Sequence, residues 1–592
     1  MVIPCDPLLR ARLIAVAQEQ ATPDLLIRGA RVWNAYTGET LPGDIAVCAD
    51  RIAKVGPWTG SLAADTVLIE ADGRVAVPGY IEPHTHPWPF ANPLSLGEAA
   101  VCRGTTCLVY DDLMLHLAMG TERMLEATRA MSAASLPHIF WVARIASQSR
   151  FQGEEAIFSR EAIRRLVDAE HFIGTGELTR WTDLLDPMMS PELLAILEDV
   201  RRANKINDGH FAGASPRRLA ALANAGIHSC HEAINSDEVL ERLRQGLWVL
   251  LRNSSLRQDL TALLPALDKT AFHDRIAYTS DGSSENLVAT AGLIEHLIGQ
   301  ALGAGVAPNL AYRMATLNPA SFLGLDQDMG AVVAGRIADI NLLADMHRPM
   351  PELVVCRGRL AARDGALVVT APSVEFPWDT ACAGGEPDIP QWGPDRFVLP
   401  ADAPNPFPAG RLVNAAITRE VPTPLRACPG GLWPSEGLML AASNRGGDWI
   451  SRGVVHDFGD ELDALATTYT ANAGILVLGR TPQGMADALS RLRSMGGGIA
   501  VRSRTGEWSE FPMAVAGVLG GGGFDAAARR ARDFEAALAA CGFRHSDPKF
   551  TLLFLTCDIL PEVRAIEAGW IRVKTGELLY PAQRLAPVPS HA

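Results

Sequence analysis

Between residues 77 and 329, short apolar segments alternate with stretches of helical periodicity, and this alternation restricts the fold more than any other feature of the chain. Such alternation is typical of repeated βα units, whose parallel strands are buried on both faces. The segments that we interpret as strands are AVPGYIEP, TTCLVYDD, HIFWVARI, FIGTGEL, KINDGH, GIHSCHE, LWVLLRN and AYTSDG. Eight parallel strands close a TIM-type (β/α)8 barrel, and we therefore predict an α/β protein built on that barrel.

The segments on either side of the predicted barrel, residues 1–76 and 330–370, follow a different pattern. A short helix near residues 7–20 precedes stretches such as DIAVCADRIAKVG, in which branched apolar residues alternate with Gly and Asp turns. AVVAGRIADINLLAD resumes this pattern after the barrel. Two distant segments with one strand pattern can share a sheet, so we expect them to form one small β-sandwich.

The last third of the chain is predicted to form a separate domain. Residues 371–410 are rich in Pro and lack periodicity, which is typical of a linker. Residues 411–592 contain strand patterns such as NAGILVLG and helical patterns such as TPQGMADALSRLRSMG. This mixture predicts an α+β domain.

Composition and charge exclude several classes of function. The 53 Lys and Arg against 67 Asp and Glu give a net charge of −14, and no long basic run could follow a phosphate backbone, so no nucleic acid polymer is expected as a partner. No segment offers the roughly 18 apolar residues of a membrane span, and no signal pattern opens the chain. We therefore expect a cytoplasmic protein without a membrane partner. The ten cysteines lack paired spacing and are expected to be reduced.

The stretch VPGYIEPHTHPWPF at residues 77–90 places His84 and His86 at the end of the first predicted strand. Side chains at positions i and i+2 of a strand share a face, so both imidazoles can reach one cation. Such a pair also occurs by structural accident and is weak evidence alone. Three other histidines do not end a predicted strand in the right register, and we interpret them as structural. They are His116, His171 and His228.

Four further candidate ligands each end a later strand: Glu177, His210, His231 and Asp281. The carboxyl ends of barrel strands share one rim, so these side chains are predicted to meet the His pair. Singly, each has a simpler interpretation, and Asp281 before Gly282 is also a common turn or helix N-cap. Together, the six nitrogen and oxygen ligands suffice for two divalent cations, with one carboxylate free to bridge them.

These ligands and their flanking motifs resemble the amidohydrolase superfamily and, within it, the bacterial adenine deaminases. The motifs that carry the resemblance are VPGYIEPHTH, RGTTCLVYD, NDGHFAG, LANAGIHSCHEA, LWVLLRNSS, LNPASFLGL and AGRIADINLL, followed in the C-terminal domain by GVVHDFG, LSRLRSMGGGIAV and LLFLTCDILPEV. The resemblance covers nearly the whole chain. It implies two divalent cations, Mn²⁺ or Fe²⁺ with Zn²⁺ as the alternative, a small heterocyclic substrate, and a homodimer or larger homo-oligomer.

The resemblance also implies roles for individual residues. Asp281 would be both a ligand and the base that moves a proton from the attacking water to the leaving nitrogen. Glu232 is a candidate acid for a ring nitrogen, although it neighbours His231 and adjacent strand residues point to opposite faces unless the strand end re-aims them. Arg252 is a candidate substrate clamp, with a surface or interface ion pair as the alternative. The remaining predicted substrate contacts are Trp88, Asp111 and Ser283.

The chain departs from the deaminase pattern where the substrate is expected. The sequence PWPF at residues 87–90 replaces an acidic, serine-containing stretch close to I-E-S-S, and DDLM at residues 111–114 replaces D-P-H-E. Ser280 precedes Asp281 where a second Asp is usual, and Gly282 follows where Arg is usual. The ligand set is thus complete while the predicted pocket is less polar, which suits a bulkier or less polar ring.

Three functions remain open from the sequence. The first is deamination of adenine or an adenine-like N-heterocycle by hydroxide attack at the carbon that carries the amine. The second is hydrolysis of a cyclic amide, a cyclic imide or a substituted amine on another ring. The third is a non-catalytic scaffold, which would be expected to have lost some of the six ligands. In the C-terminal domain, His456 and Asp457 are candidates to close over the site, with an ordinary loop as the alternative.

Overall fold

The computed structural model describes residues 3–87 and 89–585, and its first part is a small β-rich unit. Its elements are α1 (Pro7–Ala17), β1 (Leu25–Trp33), β2 (Thr40–Cys48), β3 (Arg51–Gly56), β4 (Val67–Glu70) and β5 (Val75–Pro78). Pro7 starts α1 where a backbone N–H is not needed, and the Asp6 side chain caps the helix. β1 pairs antiparallel with β2 and parallel with β4 and β5.

Eight parallel strands follow in chain order. They are β6 (Tyr80–Thr85), β7 (Thr105–Asp111), β8 (His138–Ala143), β9 (Phe172–Leu178), β10 (Ile206–Gly209), β11 (Ser229–Cys230), β12 (Trp248–Arg252) and β13 (Ile276–Thr279). The first five strands form one parallel sheet and the last three another. The His228 N–H donates to the Asn207 carbonyl at 2.9 Å between the sheets, and Thr85 forms a parallel bridge with Asp281 at their other edges. The strands are almost wholly buried, which explains their continuous apolar sequences.

Helices connect these strands and cover their outer side. They are α2 (Pro93–Cys102), α3 (Leu113–Ala134), α4 (Glu154–Ile157), α5 (Arg160–Val167), α6 (Ser190–Arg202), α7 (Pro216–Asn224), α8 (Ser236–Arg244), α9 (Leu260–Leu263), α10 (Glu285–Thr290), α11 (Ile294–Gly303), α12 (Pro308–Arg313) and α13 (Leu317–Phe322). Short 3₁₀ turns cover Trp181–Leu185 and Leu264–Lys269. Among the helices of the described residues, none combines the length and the apolarity needed to cross a bilayer.

The chain then returns to the first sheet. The returning strands are β14 (Ile340–Leu343), β15 (Leu353–Cys356), β16 (Arg359–Arg363) and β17 (Ala366–Leu367). β14 pairs antiparallel with β5, which joins both segments in one nine-stranded sheet. Ile45 of β2 and Val355 of β15 belong to one apolar cluster. The prediction that these two distant segments share a sheet is therefore confirmed.

After two short helices, α14 (Pro372–Glu375) and α15 (Trp378–Ala381), and a 3₁₀ turn at Pro394–Phe397, the C-terminal part is a second mixed α and β unit. Its strands are β18 (Phe407–Leu412), β19 (Thr418–Thr423), β20 (Leu425–Cys428), β21 (Gly431–Pro434), β22 (Leu438–Ser443), β23 (Trp449–His456), β24 (Leu462–Thr467), β25 (Ile475–Gly479), β26 (Gly498–Ser503), β27 (Trp508–Pro512), β28 (Val563–Ile566), β29 (Gly569–Arg572), β30 (Glu577–Pro581) and β31 (Gln583–Arg584). Its helices are α16 (Pro482–Ser494), α17 (Phe524–Ala540) and α18 (Pro548–Phe554). A nine-stranded sheet runs in the order β19-β18-β23-β22-β25-β24-β26-β27, with β31 paired to β23.

The C-terminal part packs on the carboxyl ends of the parallel strands. Helix α17 lies against α10 and α2. The buried Lys549 ammonium at the start of α18 lies 2.6 Å from the buried Glu285 carboxylate of α10. The Ser255 hydroxyl, after β12, donates to Asp547 Oδ2 at 2.6 Å. These contacts place α18 above the rim on which the candidate ligands lie.

Candidate metal centre

The His84 and His86 side chains are each held through Nδ1, which directs Nε2 toward one carboxylate. His84 Nδ1 lies 3.0 Å from Asp208 Oδ2, and His86 Nδ1 lies 2.7 Å from the Asp111 carbonyl oxygen. The Nε2 atoms lie 3.5 Å and 3.3 Å from Asp281 Oδ1. An imidazole fixed through one nitrogen presents the other as a ligand, which is the usual arrangement around a protein-bound cation.

A second group of ligand atoms surrounds Glu177 at the end of β9. Glu177 Oε2 lies 2.6 Å from His210 Nδ1 and 3.1 Å from His231 Nε2. The same two imidazole nitrogens are 3.2 Å apart. Three donor atoms this close, on three different strand ends, could all contact one cation.

The structure thus brings all six predicted ligands together at one rim. Their ligand atoms form three overlapping groups, each within 4.8 Å: His84, His231 and Asp281; His84, His86 and Glu177; Glu177, His210 and His231. Four imidazoles and two carboxylates match the donor preferences of Mn, Fe and Zn. His84 Nε2 is buried and faces Asp281 Oδ1 at 3.5 Å, so this nitrogen points into the candidate centre, as expected of a nitrogen that serves as a ligand. The residues present therefore fit divalent cations.

The two carboxylates are held in their charged form. Burial opposes ionisation of Asp281, but hydrogen bonds from His84 and His86 keep its pKa well below the usual value. Burial likewise opposes ionisation of Glu177, and the charges of Arg144 and His210 keep its pKa well below the usual value. Both groups are therefore ionised, which is the state that binds cations.

Arg252 and Glu232 lie beside Asp281 in a buried ion-pair network. Arg252 Nη1 contacts Glu232 Oε1 and lies 3.2 Å from Asp281 Oδ2, while its Nη2 lies 3.4 Å from Asp259 Oδ2. The Arg252 side chain is thus buried in an ion-pair network at the wall of the cavity and does not form a surface ion pair. β11 ends at Cys230, so the chain has left the strand before Glu232, and Glu232 Oε1 reaches to 3.6 Å from His210 Nδ1.

The described residues that line the cavity above these ligands include Arg252 and Glu232 but not Asp111 or Ser283. The Asp111 carboxylate pairs with Arg144, whose Nε is 2.5 Å from its Oδ1. The Ser283 hydroxyl donates to the Ser280 carbonyl at 2.9 Å within its own loop. Both side chains are committed to neighbouring protein groups. Trp88, the other predicted substrate contact, lies outside the described residues.

The apolar pocket wall that PWPF at residues 87–90 predicts is not formed by Phe90. Phe90 is fully buried away from the cavity, where its ring packs on Phe511 and Phe534 of the C-terminal part. Its backbone N–H donates to Glu285 Oε1 at 2.8 Å. The departure at this position therefore serves the contact between the two parts of the chain, because the residue faces the C-terminal strands and helices.

The cavity has a volume of about 460 Å³ and two chemically distinct sides. Its floor is polar and carries candidate ligands together with Glu232 and Arg252. Its cover comes from the C-terminal part and includes Ile417, Phe550, Leu553, Phe554, Ile559 and Leu560. His456 is not among the described lining residues, and its Nε2 lies 2.6 Å from the Thr423 hydroxyl within the C-terminal part.

Three buried polar residues near the ligands were missed in the sequence. Asp208 holds His84 and itself accepts from the Ser229 hydroxyl at 2.5 Å. Glu82 accepts from the Ser280 N–H at 2.8 Å, and burial raises its pKa to about 7. Arg144 contacts Glu177. The sequence signals that could have identified them are positional. Glu82 and Asp208 precede His84 and His210 by two residues, and Arg144 lies at the end of the third strand segment.

Comparisons with known proteins extend over the whole chain. A sequence profile described as the amidohydrolase family matches residues 75–361, and one described as the adenine deaminase C-terminal domain matches residues 415–577. A protein of Halalkalibacterium halodurans is 30% identical over 580 residues, which cover 96% of this chain and 97% of that protein. The adenine deaminase of Cenarchaeum symbiosum is 30% identical over 584 residues, covering 96% and 94%. That of Moorella thermoacetica is 29% identical, covering 94% and 96%. The chain belongs to the adenine deaminase family of amidohydrolases.

Proposed function

We propose that this chain is a metal-dependent aminohydrolase that replaces the exocyclic amine of adenine, or of an adenine-like N-heterocycle, with oxygen from water. One observation carries the proposal: four imidazoles and two carboxylates meet at one rim, and four of these six side chains, His86, Glu177, His210 and Asp281, line a cavity of about 460 Å³. A volume of this order is typical of small-molecule sites. Full-length relatives named adenine deaminase support the choice of substrate.

The proposed centre has two halves. His84 and His86, whose Nε2 atoms lie 3.5 Å and 3.3 Å from Asp281 Oδ1, would hold one divalent cation with Asp281. Glu177, His210 and His231 would hold the other. Cations bound there would lower the pKa of a water molecule toward neutrality and so supply a nucleophile. We propose Mn²⁺ or Fe²⁺, with Zn²⁺ as the alternative, because mixed imidazole and carboxylate donors accept all three.

Asp281 is the proposed proton carrier of the reaction. Its Oδ1 faces His84 and His86 on the floor, while Arg252 lies 3.2 Å from its Oδ2 and limits rotation of the carboxylate. The ionised group accepts a proton from the attacking water and returns it to the leaving nitrogen. Release of ammonia then needs no further base from the chain.

Glu232 is the proposed partner of a substrate ring nitrogen. Burial opposes its ionisation, but the charges of His210 and Arg252 lower its pKa to about 2. Glu232 is therefore a carboxylate at neutral pH and first accepts a hydrogen bond from a ring N–H. It can act as an acid only with a proton that it takes up during the reaction.

The cover of the cavity favours an uncharged ring. Phe550, Leu553 and Leu560 face the polar floor and offer no partner for a charged substituent. A planar heterocycle can place its amine-bearing carbon toward the floor and its far edge against these side chains. This arrangement accommodates adenine and larger relatives of adenine.

The finer features of the fold are part of the proposal. We infer that the two parallel sheets close as one barrel over residues 77–329 and that residues 1–76 and 330–370 form one β-sandwich. Residues 371–410 would be the linker and 411–592 the C-terminal domain. The strand order and the two links between the sheets support the barrel. A cytoplasmic homodimer or larger homo-oligomer completes the proposal.

A substrate screen of the Mn-loaded protein tests this function. We expect adenine, other aminopurines or N-substituted adenines to release ammonia or an amine, with the exocyclic nitrogen of the ring replaced by oxygen, as measured by mass. Addition of water without ammonia, on a cyclic amide or imide, would instead support the second function. The variant His210→Ala should be inactive, whereas His171→Ala should be active because His171 lies away from the cavity and contacts Thr128. Fewer than about one bound cation per chain would favour a scaffold.

A further inference from the structure

Two buried polar side chains on the cavity wall each present an oxygen without a hydrogen-bond partner among the described residues. Gln148 lies in the loop after β8 and is 4% exposed, and Thr179 follows β9 and is 7% exposed. Both line the cavity of about 460 Å³. The oxygens in question are Gln148 Oε1 and Thr179 Oγ1. A buried polar atom that lacks a hydrogen bond reduces stability, so two of them at one cavity wall indicate a ligand that supplies the missing partners.

These two side chains come from a different sheet than the ion pair of the floor. β8 and β9 belong to the five-stranded sheet, whereas Arg252 ends β12 of the three-stranded sheet and Glu232 follows β11 of the same sheet. Glu232 and Arg252 are charged and pair with each other. Gln148 and Thr179 are neutral, and each can both donate and accept a hydrogen bond. The first sheet therefore contributes neutral hydrogen-bonding groups to the cavity.

The C-terminal part holds the loop that carries Gln148. The Gln148 carbonyl oxygen accepts from the Asp558 N–H at 3.0 Å. Asp558 Oδ2 accepts from the Arg150 N–H at 3.1 Å and lies 2.8 Å from Arg150 Nη1. The two residues that follow Asp558, Ile559 and Leu560, are part of the apolar cover. One segment of the C-terminal part therefore covers the cavity and fixes the backbone from which the Gln148 amide extends.

We propose that Gln148 and Thr179 determine substrate specificity by forming hydrogen bonds with ring nitrogens of a neutral heterocycle. The inference rests on the proposed function and deepens it, because it names the groups that recognise the ring. A glutamine amide matches an edge on which a donor stands beside a ring-nitrogen acceptor, which is how Gln recognises adenine in nucleic acids. Since neither side chain carries a charge, both favour an uncharged ring.

Kinetics of the Mn-loaded full-length protein with adenine, and inhibition by analogues in which one ring nitrogen at a time is replaced by carbon, test this role. Gln148→Met and Thr179→Val should each raise KM for adenine about tenfold and change kcat less, because the ring loses one hydrogen bond. For each variant, one analogue should inhibit as well as it inhibits the wild type, because it already lacks the nitrogen concerned. An equal loss for adenine and all analogues, or no loss at all, would overturn the inference.

Two variants are matched controls. Thr105→Val removes another buried hydroxyl oxygen without a hydrogen-bond partner in the described chain, but Thr105 begins β7 and is not among the described residues that line the cavity. Gln152→Met changes an exposed glutamine in the same loop as Gln148. Neither variant should alter KM for adenine. A rise in KM shared with these controls would count against recognition by Gln148 and Thr179.

The stability of the ligand-free protein separates recognition from a structural role. Thr179 Oγ1 has no hydrogen bond to lose within the described residues, so Thr179→Val should leave Tm unchanged or raise it. A clear fall in Tm would assign the hydroxyl to the fold and overturn its part in recognition. Adenine that binds independently of both side chains would overturn only this inference. Wild-type protein that binds neither adenine nor any analogue would overturn the proposed function as well.

Discussion

The floor and the cover of the cavity are built by opposite physical means. The floor is a set of buried charged groups. Arg252, for example, contacts Glu232 and lies near both Asp281 and Asp259. The cover is largely apolar and consists of Phe550, Leu553 and their neighbours, with Asn414 and Ser546 as its polar members. We infer from this difference that the parallel strands supply the chemistry, whereas the C-terminal part excludes water and discriminates between rings.

The two regions also depend on each other. The cover is attached to the part of the chain that carries the parallel strands through the buried pair of Lys549 and Glu285. Glu285 in turn accepts from the Phe90 and Ala91 N–H groups at 2.8 Å and 3.2 Å. The segment that carries His84 and His86 therefore leads directly into the contact with the cover. Changes in each region should nevertheless alter different observables.

The largest effect is expected on the floor. Asp281→Asn removes the proposed proton carrier and one ligand charge, so kcat should fall by about 10³-fold or more. Asp259→Asn is the matched control, because Asp259 also lies near Arg252, at 3.4 Å, but faces none of the imidazoles. Steady-state kinetics of both variants at saturating Mn²⁺ measure the difference. Equal activity in both would remove Asp281 from the reaction.

Loss of the attachment between floor and cover should reduce stability. Lys549→Met leaves the Glu285 carboxylate buried without its counter-charge, which should cost about 3–5 kcal/mol in the free energy of unfolding. Burial opposes the charge on Lys549, but the charge of Glu285 raises the pKa of Lys549 above its ordinary value. The stabilisation is therefore fully present below the ordinary lysine pKa and is lost only as the pH rises through the raised pKa of the folded protein. Urea unfolding should show the same loss between about pH 6 and pH 9. Lys574→Met, at an exposed lysine, should leave stability unchanged.

A smaller effect on the floor is expected behind the His pair. Asp208→Asn removes the charge that fixes His84 through Nδ1, so cation affinity should fall by about 10-fold to 100-fold. Calorimetric titration with Mn²⁺ measures the change. Asp183→Asn changes a buried Asp that pairs with Arg150 and Arg180 instead, and its affinity should equal that of the wild type. A loss shared by both variants would indicate general destabilisation.

The smallest effect is expected on the cover. Phe550→Leu shortens the wall that faces the floor, so KM for the best substrate should rise about fivefold while kcat is retained. Phe543→Leu is the control, because Phe543 packs on Phe458 in the same part of the chain and does not line the cavity among the described residues. A fall in kcat with unchanged KM would show that the cover takes part in the chemistry.

The floor could be predicted from the sequence because strand ends determine where its side chains lie. His84, Glu177, His210 and Asp281 each follow a recognisable apolar segment, and parallel strands place their carboxyl ends on one rim. Glu232 was ambiguous because β11 has only two residues, Ser229 and Cys230, and a strand that ends early changes the direction of the following side chains.

The cover could not be predicted because it depends on how distant segments pack. Phe90 follows the His pair by four residues, yet its burial against Phe511 and Phe534 is decided by residues more than 400 positions away. Asp111 is the last residue of its strand, which is a position where a substrate contact is expected. Its ion pair with Arg144 and its close approach to Gly176 bring together residues that are far apart in the chain, so no local sequence pattern reveals them.

Anomalous diffraction from crystals of the Mn-loaded protein tests the central claim most directly. The account predicts two manganese positions at the floor, one among His84, His86 and Asp281 and one among Glu177, His210 and His231. Manganese located elsewhere, with the six side chains turned away from it, would contradict the account.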